Sequence, residues 1–158
     1  MARKLLDVAA VLHAGRELAV RERLAAAPSA EFRAREPTRV DLLVRPSGQG
    51  LELVGTIGVD LEGACSRCLE PAVVRFDFDV RERFDPLAGE LDPLAENNVL
   101  VGESLDLDDL VRQLIAAALP LVVLCSEDCP GLCPQCGCKL DLAHRPHPLA
   151  PGSTRWPI

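Results

Sequence analysis

The seven cysteines carry the clearest chemical potential of this chain, because most of them stand in pairs at short spacing. One C-x-x-C pair lies at 65–68, and a second, followed by a glycine, lies at 133–137. Such a pair can form a tight turn that directs two thiolates at one metal ion, and the glycine can adopt the positive φ that the turn needs. Since zinc prefers four ligands in a tetrahedron, two pairs must be combined around each ion. The spacing therefore predicts zinc-binding cysteine knuckles.

Two ligand combinations are open at this point. In the first, a single zinc ion is bound by Cys65, Cys68, Cys133 and Cys136. In the second, two ions are bound, one by Cys65, Cys68, Cys125 and Cys129 and the other by Cys133, Cys136, His144 and His147, which leaves Cys138 free. The histidines complete a spacing close to that of Cys2His2 sites. One zinc ion is expected, and a second follows from the two-ion combination.

Few other residues could support catalysis, and the chain is not predicted to be an enzyme. The pair at 65–68 lies between predicted strands, whereas a thioredoxin-like redox pair begins a helix in a βαβ unit. The sequence has no glycine loop of the kind that cradles phosphates. It also lacks an evident base held by a third group, which nucleophilic catalysis needs.

The composition of the 158-residue chain fits one ordinary globular domain. Hydrophobic residues make up 48% and aromatic residues only 3%, so the core must be aliphatic and platforms for base stacking are scarce. The formal charge is −7, but residues 1–83 are neutral overall and residues 84–158 carry the whole excess. A generic basic nucleic-acid binder is therefore disfavoured. The acidic run at 85–109 instead offers a docking surface for a basic partner.

The elements that position the first cysteine pair are predicted to be strands. Residues 39–45 alternate between polar and apolar, a turn-forming run follows at 46–50, and apolar positions recur two apart from Leu51, which predicts a hairpin. Residues 74–80 place their apolar side chains on one face, as in a half-buried strand. Residues 4–26 are compatible with either a strand or a helix.

The second group of cysteines follows a predicted helix at 104–119, where apolar residues recur at helical spacing. Ser104 or Asp106 can cap its start, and Pro120 ends it. Residues 86–103 are rich in proline, glycine and asparagine, so an irregular acidic connection is expected there.

The expected fold class is α+β. A mainly antiparallel sheet or partial barrel is covered by the C-terminal amphipathic helix and carries cysteine knuckles. Residues 1–142 form a single domain, in which 1–85 are mainly β and 125–142 are the Cys-rich knuckle, and a Pro-rich tail follows at 143–158.

Three motifs together resemble the YceD family, the large ribosomal RNA subunit accumulation proteins. They are CSRCLEP at 65–71, SLDLDDLVRQLIAAALPLVVLC at 104–125 and CPGLCPQCGCKL at 129–140, in the family's order. The resemblance spans residues 50–142. Two departures stand out. Val123 occupies a position where the family commonly has a second proline. Where the family usually has Asn-Leu-Asn and a terminal Cys-x-Cys, this chain has Lys139-Leu140-Asp141 and then His144 and His147.

The resemblance implies a non-catalytic ribosome-biogenesis factor that supports the synthesis, processing or stability of large-subunit ribosomal RNA. Its partner would be that RNA or a pre-ribosomal particle. Arginines of the neutral half can contact RNA, because the planar guanidinium donates two parallel hydrogen bonds to phosphate. The candidate RNA-binding residues are Arg21, Arg23, Arg33, Arg35, Arg39 and Arg67.

An alternative function needs no RNA contact. A zinc-stabilised adaptor could bind a basic ribosomal protein through the acidic stretch, and a third, thiol redox or metal-transfer role would use Cys138. No stretch reaches the roughly 18 apolar residues of a membrane span. Because Asp7 interrupts the apolar start, no secretory signal is predicted, and paired thiols then indicate a reducing compartment. A cytoplasmic location is expected.

Overall fold

Two long antiparallel strands form the centre of the fold, which a computed structural model describes for residues 4–86 and 98–140. The strands are β1 (Leu5–Asp7), β2 (Leu18–Leu24), β3 (Arg33–Ala34), β4 (Thr38–Ser47), β5 (Gly50–Ala64), β6 (Pro71–Pro86), β7 (Asn98–Leu100) and β8 (Ser104–Asp106). The helices are α1 (Ala9–Ala14) and α2 (Leu107–Ala118).

The main sheet has six strands in the order β2-β4-β5-β6-β7, with β3 pairing the far end of β5. All of its pairs are antiparallel except β6 with β7, so the sheet is mixed rather than wholly antiparallel. Strand β1 pairs with β8 in a separate two-stranded sheet. The chain is therefore rich in sheet, with few helices in the part that the structure describes.

Alternation along the strands gives the main sheet an inner and an outer face. In β4 the side chains of Val40, Leu42 and Val44 are buried, whereas the alternating Arg39 and Asp41 are exposed. The predicted hairpin is confirmed, since β4 and β5 pair from Ser47 opposite Gly50 onward.

Both helices contribute to the core on the inner face. Val11 of α1 and Val111 and Ile115 of α2 are buried in the same cluster as Leu53 and Ile57 of β5. Helix α2 begins where the Asp106 carboxylate accepts a hydrogen bond of 3.0 Å from the backbone N–H of Asp109, which satisfies a free donor of the first turn. The side chains on the outer face of the main sheet therefore point away from this core.

The structure resolves one segment that the sequence left open and corrects two expectations. The ambiguous segment 4–26 contains β1, α1 and β2, and in β2 the pairing with β4 overrides the helical propensity of its Arg, Glu and Ala residues. Residues 98–100, predicted as irregular, form β7 along β6, and residues 104–106, predicted as the helix start, form β8. The rest of the acidic connection and the Pro-rich tail lie outside the described residues.

Neither helix in the described ranges is long and apolar enough to cross a membrane.

Glu52 of β5 gives the sheet a testable pH dependence. Its side chain is only 15% exposed and accepts hydrogen bonds of 2.7 Å from both Arg81 of β6 and Arg45 of β4. These hydrogen bonds, that of Arg81 foremost, hold the pKa of Glu52 below its ordinary value. Because the pKa of Glu52 is lower in the folded chain than in the unfolded chain, its ionised form stabilises the fold at pH values above the ordinary pKa of roughly 4.3. This stability is lost as the pH falls through the lowered pKa.

We therefore expect Glu52→Gln to be less stable than the wild type near neutral pH and the difference to shrink in acid. Urea unfolding at a series of pH values measures both curves. Arg81→Gln removes the first donor and should move the curve in the same direction. A stability difference that stays constant down to strongly acidic pH would contradict this role of Glu52.

Candidate metal centre

The first cysteine knuckle is the turn that joins β5 to β6. The backbone N–H of Cys65 donates to the carbonyl of Glu70 at 2.8 Å, and that of Leu69 donates to the carbonyl of Cys65 at 2.9 Å. Leu69 adopts a left-handed φ of 63°, which turns the chain tightly after Cys68. The two longest strands of the sheet thus fix this pair of thiols in place.

The chain after α2 returns to this knuckle through Ser66. The backbone N–H of Ser66 donates to the carbonyl of Val123 at 2.7 Å, and the Ser66 hydroxyl accepts from the N–H of Val123 at 3.1 Å. Val123 is buried beside the first pair of cysteines. This docking carries Cys125 to the knuckle, and a turn from Ser126 to Cys129 returns a second thiol to the same place.

Four thiols meet as a result. The sulfurs of Cys65, Cys68, Cys125 and Cys129 all lie within 4.8 Å of one another. The Sγ atoms of Cys65 and Cys129 are 3.7 Å apart, and those of Cys68 and Cys125 are 3.6 Å apart. A tetrahedral zinc ion with bonds of about 2.3 Å requires sulfurs about 3.8 Å apart, whereas a disulfide requires about 2.0 Å. All four cysteines are free thiols, so the group has the dimensions of a metal site.

The electrostatics of the group also favour a cation. Burial raises the pKa of the Cys65 thiol, but backbone N–H groups, that of Arg67 foremost, outweigh burial and lower the pKa to about 6. The backbone N–H of Glu70 lowers the pKa of Cys68, yet burial and the neighbouring thiols raise it to about 12. The Cys65 thiolate therefore forms readily. Ionising the thiols beside it places negative charges close together, which requires a positive charge among them. A divalent ion supplies that charge.

Arg67 is a structural part of this knuckle. Its backbone N–H lies 3.4 Å from the Cys65 sulfur, and its guanidinium donates to the carbonyl of Cys129 at 3.0 Å. Arg67 therefore links the two halves of the cysteine group. This contact gives Arg67 a role besides the RNA contact predicted from sequence.

The second knuckle, residues 131–140, is a small hairpin beside the first. The backbone N–H of Cys133 donates to the carbonyl of Cys138 at 2.7 Å, and that of Gly137 donates to the carbonyl of Cys133 at 2.8 Å. Gly137 has the positive φ expected of it, 70°. Cys133 is buried, while Cys136 and Cys138 are exposed.

The structure thus separates the two ligand combinations. In the described part of the chain, the one group of three or more ligands close enough for an ion is Cys65 with Cys68, Cys125 and Cys129. This group is the first site of the two-ion combination, and the single-ion combination with Cys133 and Cys136 is not assembled. His144 and His147 lie outside the described residues.

The candidate RNA-binding arginines differ in their contacts. Arg21 lies 3.5 Å from Asp41, and Arg39 donates to Asp77 at 2.8 Å. The other members of the set besides Arg67 are exposed and form no ion pair with any residue that the structure describes; they are Arg23, Arg33 and Arg35. Sequence reasoning missed the role of Ser66, because a serine between two cysteines carries no signal of a partner more than fifty residues away.

Comparison with known proteins gives a family match. The family model described as large ribosomal RNA subunit accumulation protein YceD matches residues 53–156, which confirms the resemblance of the motifs. Uncharacterized proteins of Mycobacterium bovis and Mycobacterium tuberculosis are each 34% identical to this chain over 122 residues, which cover 74% of this chain and 58% of the relative. An uncharacterized protein of Mycobacterium leprae is 27% identical over 107 residues, 66% of this chain and 49% of the relative. The chain therefore spans about half the length of these relatives. No solved structure matches.

Proposed function

We propose a function from one established premise: the chain belongs to the YceD family, described as large ribosomal RNA subunit accumulation proteins. On this premise, the protein is a non-catalytic ribosome-biogenesis factor that supports the synthesis, processing or stability of large-subunit ribosomal RNA. Its partner is that RNA or a pre-ribosomal particle. The free thiols fit a reducing compartment, so we place the protein in the cytoplasm.

The observation that carries this proposal is the extent of the family match. Residues 53–156 include most of β5, all of β6 and α2, and every cysteine of the candidate metal centre. The family's description is therefore attached to the part of the chain that holds the site. A metal site with four protein ligands has no open position for a substrate, so its chemistry supports a structural rather than a catalytic role.

The metal we propose for the first site is zinc. Four thiolates in a tetrahedral arrangement suit zinc, and the ion would fasten the segment after α2 to the end of the sheet. A second ion, bound by Cys133, Cys136, His144 and His147, remains part of the two-ion proposal.

Metal content tests these sites directly. We expect elemental analysis of protein purified without added zinc to find at least about one ion per chain, because the first site is already assembled. Cys68→Ser should remove about one equivalent, and the matched control Cys138→Ser should remove none. A content near two that falls to near one in the double variant His144→Ala, His147→Ala supports the second site. Metal-free wild-type protein would reject both sites.

A pull-down with and without nuclease tests the function. We expect tagged protein to retain large-subunit ribosomal RNA and to lose its ribosomal partners after nuclease treatment, since the proposed contact is with RNA. Retention of one basic ribosomal protein after nuclease would instead support the adaptor. The half-buried acidic residues in the first turn of α2, Asp108 and Asp109, would then be the first to replace.

A further inference from the structure

The outer face of the main sheet carries a cross-strand arrangement of arginines and acids that the family match does not explain. In one row across the strands, Arg23 lies opposite Arg39, Arg39 lies opposite Gly58, and Gly58 lies opposite Asp77. The next row is Arg21, Asp41, Thr56 and Asp79. Directly opposed residues of an antiparallel pair share a face, so these side chains form one surface, which we name the arginine face.

Gly58 forms the floor of a depression in the arginine face. A Cβ at this position would overlap the Asp77 carboxylate and the Arg39 guanidinium, so the Arg39–Asp77 ion pair lies directly across the glycine. The depression has a volume of about 430 Å³ and is lined by residues of both rows together with Glu22 and Val40.

The cations of the arginine face differ in how far they are neutralised. Arg39 is paired with Asp77, and Arg21 lies near Asp41 with its side chain 82% exposed. Arg23 is exposed and has no ion pair with the residues that the structure describes. The depression thus combines planar guanidinium groups, which can stack on a base, with one cation that is free to meet a phosphate.

We propose that the arginine face binds single-stranded RNA, with a base stacked on the guanidinium of Arg39 above Gly58 and a phosphate bound by Arg23. The inference rests on the proposed function and names the surface that serves it. In single-stranded RNA the bases are free to stack on side chains, and an arginine plane can replace the aromatic ring that usually serves there. Such a replacement suits a chain whose aromatic residues amount to only 3%.

The chemistry of the arginine face favours RNA over a protein partner. The buried centre of a protein–protein interface is depleted of charged residues and enriched in apolar and aromatic ones. The centre of this face is instead made of charged side chains around a glycine and a threonine. Burying it against a protein would strip water from the Arg21–Asp41 and Arg39–Asp77 ion pairs and from Arg23, whereas RNA supplies phosphate charge and planar bases.

Binding of labelled single-stranded oligonucleotides from large-subunit ribosomal RNA to the full chain, with its metal bound, tests the proposal. We expect Arg39→Ala to weaken binding about tenfold or more, and Arg39→Lys to weaken it nearly as much, because lysine keeps the charge but has no plane to stack. Arg23→Ala should weaken binding and reduce its salt dependence. The matched control is Arg112→Ala on α2, which should bind as the wild type does. Thermal unfolding of each variant verifies that it is folded.

The outcomes separate this inference from the proposed function. If wild-type protein binds the oligonucleotides and Arg39→Ala binds them equally well, the arginine face is not the site, although the RNA function stands. If Arg39→Lys binds as tightly as the wild type, stacking on Arg39 is wrong. If the wild type binds no oligonucleotide and retains a basic protein after nuclease treatment in the pull-down, both this inference and the proposed RNA contact are wrong.

Discussion

We expect removal of the proposed zinc ion from the first site to be the most destabilising single change that leaves the backbone intact. Cys65, Cys68 and Cys129 are buried with Val123 and Ala72 in a small cluster of their own. Structural zinc in finger peptides contributes about 10–16 kcal/mol of apparent binding free energy, and that energy is coupled to folding. Because the sheet has a core of its own, we expect the loss to be smaller than this binding free energy. It should be about 5 kcal/mol in the free energy of unfolding of the metal-bound region.

Two routes remove the ion, and they should agree. Chelation of the wild type and the substitution Cys65→Ser should both lower the melting temperature, whereas Cys138→Ser should leave it unchanged. Calorimetry measures the shift, and added zinc should restore the chelated protein but not Cys65→Ser. If the chelated protein, Cys65→Ser and the untreated wild type have the same melting temperature, the cysteine group does not bind a structural metal.

The loss should be local before it is global. The cysteine cluster and the sheet core are separate, and Phe32 packs against both. Hydrogen exchange should therefore show amides of residues 119–140 losing protection first, while central amides of β5 keep theirs. Uniform loss throughout the chain would mean that the metal supports the whole fold.

The parts of the fold that the sequence predicted are those set by local pattern. The β4–β5 hairpin follows from alternation around a turn-forming run, and Asp106 is one of the two caps that the sequence offered for α2, which begins at Leu107 rather than at residue 104. In both cases, neighbouring residues in the chain determine the structure. The same holds for the tight turns of the two knuckles.

Long-range pairing determined what the sequence could not show. β1 and β7 are three-residue strands that exist only because they pair with β8 and β6, and such short segments carry no periodic pattern of their own. The ligand set of the first site has the same origin. The spacing of the cysteines was compatible with two combinations, and the docking of Val123 on Ser66 decides which thiols meet.

The arginine face shows the same limit at the level of function. Each arginine could be proposed as an RNA contact from its type and charge environment. The cross-strand register that places Arg23, Arg39 and Gly58 in one row depends on the pairing of three strands. Glycine at position 58 carries no sequence signal, although it makes room for the ion pair.

Gly55 supplies the second large expected effect. It lies in the middle of β5 with a φ of 152°, opposite Leu42 of β4 and Val80 of β6. A Cβ there would overlap the backbone carbonyl oxygen of Asp41 and lie 2.9 Å from the Cα of Leu42. Neither atom can rotate away, so Gly55→Ala must separate the two central strands or force the backbone into a new conformation. We expect it to reduce the free energy of unfolding by about 3 kcal/mol or more.

Gly58→Ala is the matched control, three residues along the same strand. The atoms that its Cβ would overlap belong to the ends of the Asp77 and Arg39 side chains, which can move aside by rotation. We expect its loss of stability to stay within about 1 kcal/mol. Urea unfolding of both variants with equal metal content measures the difference. Equal losses of stability would show that the backbone of β4 at Gly55 moves aside as easily as the side chains at Gly58. Because Gly58→Ala should remain folded while it displaces the ion pair, a loss of RNA binding in this variant would come from the altered floor of the arginine face.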